Sequence, residues 1–453
     1  MAAKIHGVKR VPLDIAWLVL LGAICALAYS QRSAAVKTPA PPMPVVERDI
    51  DPAPVAFERQ MRLEVDNGTF AGSALNRDAV ELARAGRYSE AAAKLRKALA
   101  ATPGNALVQR NLQAVLLAWG FEELQREQAR AAADRFTEAL AFGRSADVLT
   151  GLGIAQVRGR QYGEGITALE EAIERGAKDG ATYLALGQAY EAIDDRVRAL
   201  EMLQRAREAG VRAAELEERI QRLAREVDAE WDFTQESSRH FQVRFDAGED
   251  KHAANEVLRS LESAYDVVGR KLGYFPDRPT PVVLYAERDF HDITQTPDWA
   301  GAVFDGRLKF PVRGLVAGAD LDRVTRHEYA HSLIAALANT RLPAWLNEGL
   351  AMWAEEESPG DRRDWADQVL ATHELMPLAT LSQPFAGLPR QHVQAAYAQS
   401  YVTVLFLVDE YDARRLPRFL EAMRHGASMQ QAFADVYPVD LAAFEEAAAK
   451  SIS

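Results

Sequence analysis

The stretch "RHEYAHSLIAALANTRLPAWLNEGLA", Arg326 to Ala351, holds two histidines around a glutamate and, beyond a proline, a second glutamate. His327, Glu328 and His331 form the pattern H-E-x-x-H. Positions four apart share one face of an α-helix, so both imidazoles can reach a single Zn2+ ion. A helix is expected, because Asp320 or Asp322 can cap its start and Val324, Leu333, Ile334 and Leu337 supply an apolar side. Glu328 then points into the same cleft without ligating, placed to take a proton from water that the metal has acidified. A hydrolytic zinc site wants three protein ligands and an open position. Pro343 interrupts the chain, and "AWLNEGLAMWAEE" begins a second helix that can return Glu348 to the two histidines.

The pairing of H-E-x-x-H with a downstream W-L-N-E-G-x-A resembles the glutamate-zincin metallopeptidases, and within them the peptidase MA-like branch related to aminopeptidase N. The resemblance runs from about Arg239 to the C-terminus. It implies His327, His331 and Glu348 as zinc ligands and Glu328 as catalytic base. It also implies an edge strand upstream of the zinc helix that pairs with substrate backbone, and "AGAVFDG" stands in that place. The Gly-Ala-Met-Glu-Asn signature that holds a free amino terminus is absent, so an endopeptidase is expected rather than an aminopeptidase. The family often supplies a tyrosine to the oxyanion, and "AAYAQSYVTVLFLVDEY" offers Tyr397 and Tyr401; the alternative is that both are core aromatics. Glu355 and Glu356 read as a solvated face, from which one of them could orient His327, and Asn347 could do likewise through its amide.

The residues around this stretch predict an α+β domain over 239–453. "HFQVRF" and "TPVVLYA" are rich in β-formers, while "ANEVLRSLESAYDVVGRKLGY" between them has helical spacing and stops at Gly273. "GAVFDGRLKFPV" predicts an edge strand or hairpin around Asp305 and Gly306. The remainder reads as helical.

Upstream, residues 76–228 predict an all-α domain that repeats. Ala91, Ala132, Gly165 and Ala199 are each followed by a large residue, Leu95, Phe136, Leu169 and Leu203, and then by Ala98, Ala139, Ala172 and Ala206. The last two intervals, 33 and 34 residues, suit a helix–turn–helix solenoid, and the first is longer, as if a turn were enlarged. With "TGLG" and "YLALGQAY" in the first helices, the stretch resembles tetratricopeptide repeats, which implies a concave surface for a protein partner.

The N-terminus carries Lys4, Lys9 and Arg10 before the apolar run "VPLDIAWLVLLGAICALAYS". Residues 1–30 therefore read as a signal anchor or a cleaved signal peptide, and either sends the bulk of the chain to the periplasm or exterior. Residues 31–75, proline-rich, read as a linker. Cys25 is the only cysteine, which excludes an internal disulfide framework. The net charge of -12 comes with no dense basic block, which argues against nucleic acid. The expectation is thus a zinc peptidase acting on peptide or protein outside the cytoplasm, its repeats recruiting substrate or partner. The alternative is an envelope scaffold whose repeats do the work and whose zinc site is structural or inactive.

Overall fold

The computed structural model describes residues 63–64, 70–246, 251–294, 302–312, 319–338, 342–358, 360 and 362–452. The apolar N-terminal segment, Cys25 and most of the proline-rich linker lie outside them. No helix among the described residues is long and apolar enough to cross a membrane.

The chain begins as helix–turn–helix pairs: α1 (Ser73–Arg84) with α2 (Tyr88–Ala101), α3 (Ala106–Gln125) with α4 (Ala129–Leu140), α5 (Ala146–Arg158) with α6 (Tyr162–Glu174), and α7 (Gly180–Ala192) with α8 (Arg196–Glu208). A further helix, α9 (Ala214–Ala229), packs on the last pair. Asn105, Ser145 and Asp179 start the first helices of successive pairs by accepting from backbone N–H groups of the first turn. Small residues set how closely the helices of a pair cross. A Cβ on Gly153 would stand 2.5 Å from Leu169 Cγ, and one on Gly187 2.6 Å from Leu203 Cδ2. Gly120 is held equally close to the ring of Phe136. The longer first interval does not come from an enlarged turn. Helix α3 has 20 residues where the other members of the pairs have 12 to 14, so about two extra helical turns absorb the difference.

A mixed sheet follows. Strands β1 (Thr234–Ser237) and β2 (Phe241–Phe245) pair antiparallel. Helix α10 (Lys251–Leu272), ended by Gly273 at φ 65°, crosses over to β3 (Thr280–Tyr285), which runs parallel to β2. Helix α11 (Glu287–Thr294) leads on to a hairpin of β4 (Val303–Phe304) and β5 (Leu308–Pro311), with Gly306 at φ 106° in the turn. The order is β1-β2-β3-β5-β4, which leaves β4 at the rim. Alternation along the strands gives the sheet two interiors. Phe241, Val243, Val282, Leu284, Leu308 and Phe310 belong to the main core with α10 and the zinc-motif helix α12 (Ala319–Ala338). Val283, Tyr285 and Val303 face the other way, into a small cluster with Phe290 and Ile293 of α11 and with Ala229 and Phe233 at the end of α9. The last helix of the array thus covers the back of the sheet.

Past α12 come α13 (Ala344–Glu355), α14 (Arg363–Leu370), a single turn α15 (Leu378–Leu381), α16 (Arg390–Tyr411), α17 (Leu416–Arg424), α18 (Met429–Val436) and α19 (Leu441–Ile452). Helix α13 is buried nearly all round because it lies between α12 and α16.

Candidate metal centre

Helix α12 carries His327 and His331 one turn apart, so their rings meet edge to face with centroids 4.8 Å apart. Their Nε2 atoms are 3.2 Å apart. Pro343 sets the break before α13, whose first turns bring Glu348 Oε2 to 3.7 Å from His327 Nε2 and 3.8 Å from His331 Nε2. The three donor atoms lie within 4.8 Å of one another, the only such group of ligating side chains found among the described residues.

The donor set fits a divalent cation. Two imidazole nitrogens and a buried carboxylate oxygen converging on one point are a donor set that a divalent cation would satisfy. Electrostatics couple the three groups closely. Burial opposes charge on His327, yet Glu348 and Glu355 overcome it and lift its pKa to about 10. Burial likewise opposes charge on Glu348, but His331 and His327 hold its pKa below the usual carboxylate range. His331 is pushed the other way, chiefly by burial.

The ring of His327 is oriented from behind. Its Nδ1 lies 2.8 Å from Glu355 Oε2, and Glu355 is ion-paired to Arg362 at 2.6 Å. This is the carboxylate–histidine arrangement that fixes which ring nitrogen faces a metal. Glu355 and Glu356 do not form a solvated face: both are buried, 2% and 4% exposed, because α13 ends between α12 and α16. Arg326, beside His327, closes this end of the site by donating to Glu355 O at 3.2 Å and Glu357 Oε1 at 2.5 Å. Asn347 raises the pKa of His331 against the effect of burial.

Glu328 follows His327 on α12 and is not among the three grouped ligating side chains. Burial, with the charges of Glu348 and Glu355, pushes its pKa up to about 7, against the pull of His327. A carboxylate in that range can accept and return a proton near neutrality; a bound cation would pull it down again.

The two tyrosines separate. The pKa of Tyr397 is driven well above its ordinary value first by the charge of Glu348, then by burial and by the charge of Glu328. Its ring packs edge-on against Phe385 at 5.1 Å. Tyr401 is fully buried, and its hydroxyl donates to Glu356 Oε1 at 2.5 Å. Of the residues singled out in the sequence, the structure brings His327, His331 and Glu348 together, while Glu328, Tyr397 and Tyr401 stand as candidates. Sequence reasoning missed Arg362 and Arg326, for which no periodic signal exists.

Comparison of the chain with curated proteins gives no match. Residues 270–453 match the family model described as the Peptidase MA superfamily, which supports a peptidase MA-like domain over that span.

Proposed function

We propose that the chain is a zinc-dependent peptidase, an endopeptidase in which His327, His331 and Glu348 hold the metal. The observation that carries this reading is the convergence of His327 Nε2, His331 Nε2 and Glu348 Oε2. A bound zinc would supply Lewis acidity toward the scissile carbonyl and lower the pKa of an attached water. Glu328 takes the proton of the attacking water and passes it to the leaving amine. Glu355 keeps His327 in the ligating tautomer. Tyr397, still protonated because its pKa is raised, donates to the oxyanion that develops as the carbonyl is attacked. The rim strand β4, with no strand on its outer side among the described residues, offers backbone groups to an extended substrate. The helix pairs are read as tetratricopeptide-like repeats that recruit substrate or partner, and the N-terminal segment as the anchor or signal that places the enzyme outside the cytoplasm.

Metal analysis and hydrolysis of an unstructured protein test the reading together. About one equivalent of zinc is expected in the purified chain. Glu328→Gln should keep the zinc and lose hydrolysis, whereas Glu348→Gln should lose the zinc. Full zinc loading with no hydrolysis of any unstructured protein would favour the scaffold alternative.

A further inference from the structure

The back of the sheet holds two fully buried cations, Arg307 in the β4–β5 turn and Lys309 on β5. Both point at α9, and there they meet buried carboxylates. Lys309 Nζ donates to Glu226 Oε1 at 2.7 Å and to Asp305 Oδ2, across its own hairpin, at 2.6 Å. Arg307 spans Glu226 of α9 and Glu230, which caps its C-terminus, at 2.9 Å to Glu226 and at 2.6 and 2.8 Å to the two oxygens of Glu230. Glu230 also accepts from Tyr285 of β3 and from Arg244 of β2. The turn is gripped from the array as well: Asp305 lies 3.6 Å from Arg222 of α9, and Arg307 Nε 3.6 Å from Asp194 in the α7–α8 turn.

This network acts on the part of the sheet least able to hold itself. Strand β4 is joined to β5 through only two residue pairs, Val303 with Lys309 and Phe304 with Leu308. So short a ladder fixes neither position nor twist. Apolar packing alone would let the hairpin slide, because such contacts are not directional. Forked hydrogen bonds from Arg307 to two carboxylates a helical turn apart are directional. They fix the turn, and with it β4, to α9.

We infer that Glu226 and Glu230, on and just past the end of the last helix of the array, are positioning residues for the substrate-binding rim: through Arg307 and Lys309 they set the place of β4. The inference rests on the peptidase reading for its substrate and on the network alone for its geometry. The helical array is then part of the cleft's construction and not a detachable recruiting module.

The test uses the full zinc-loaded chain with three changes: Glu226→Gln, Arg307→Lys, and the charge-balanced pair Glu226→Gln with Lys309→Met. Hydrogen exchange is followed over residues 302–311 and over α12, beside zinc content and the kinetics of hydrolysis of an extended peptide. Glu226→Gln should speed exchange in the hairpin by about tenfold or more while α12 stays protected. KM should rise by about tenfold with kcat nearly unchanged, because binding and not chemistry is disturbed. Zinc should stay at one equivalent, and the balanced pair should move protection and KM back toward the parent. Should Glu226→Gln not fold, Arg307→Lys, which keeps the charge and loses the fork, is read by the same criteria. Unchanged hairpin exchange, loss of protection spread evenly over the chain, or a loosened hairpin with unchanged KM each overturns the inference. A parent chain that hydrolyses nothing sinks the peptidase reading instead, and exchange in the hairpin still decides whether α9 positions it.

Discussion

Tyr397 and Tyr401 stand one turn apart on α16 and serve different partners. Tyr397 feels the charges of Glu348 and Glu328, while the hydroxyl of Tyr401 is spent on Glu356. Removing a donor aimed at a developing oxyanion costs about 10²–10³ in rate, so Tyr397→Phe should lower kcat by that order with zinc content unchanged. Tyr401→Phe takes from the buried Glu356 Oε1 its shorter hydrogen bond and leaves only the 3.3 Å bond from the backbone N–H of Arg362. It should cost about 1–3 kcal/mol of stability and leave kcat nearly intact. Kinetics and denaturant midpoints of the two variants decide the matter; a rate loss confined to Tyr401→Phe would remove Tyr397 from the mechanism. The sequence could not choose between them, since both spacings fit one helical face. What separates them is the position of Glu356, which depends on how α13 ends.

Helix α13 shows where local pattern stops being informative. The H-E-x-x-H spacing and Pro343 between the two helices are short-range facts, so the candidate ligand set was readable. The need for glycine at 349 is not local to α13. A Cβ there would lie 2.4 Å from Ser400 O and 2.7 Å from Val404 Cγ2 of α16. Backbone cannot swing aside as a side chain can, so Gly349→Ala must push α13 away from α16 and carry Glu348 with it. The expected cost is about 1–3 kcal/mol of stability. A lower zinc affinity in chelator titration should accompany it, because the neighbouring carboxylate is displaced. Unaltered midpoint and affinity would mean that the two helices part without disturbing the ligand. The burial of Glu355 was hidden for the same reason, since its environment is made by α12 and α16. Strand β1 was hidden for another: "TQES" carries no apolar alternation, and only pairing with β2 makes it a strand.

At the scale of the molecule, the array and the sheet keep separate cores and meet over the back of the sheet. Arg307 and Lys309, alternating with Leu308 and Phe310, look in sequence like the wet side of a half-buried strand; α9 over that side makes them interior. A second, smaller tie runs from Arg160 in the α5–α6 turn, which donates to Ala336 O on α12 at 3.5 Å. Two regions joined through buried charges should unfold together, so calorimetry at pH 7 should show one transition. Acid should undo that coupling. Burial raises the pKa of Glu226, but Lys309, Arg307, Arg196 and Arg222 outweigh it and hold the carboxyl well below the usual range. Glu230 is held down mainly by Arg307, and Glu191 by Arg219, Arg196 and Arg222, again against burial. A carboxylate with a depressed folded pKa contributes its full stability above the unfolded value, about 4.3 for glutamate, and loses it as pH falls toward the folded value. The melting temperature should therefore change little down to about pH 5 and fall steeply below about pH 4, where the single transition should split into array and sheet. Salt should matter far less than acid, because the pairs are shielded from mobile ions. Two transitions already at pH 7, or a melting temperature as high at pH 3 as at pH 7, would show that the buried charges do not join the two regions.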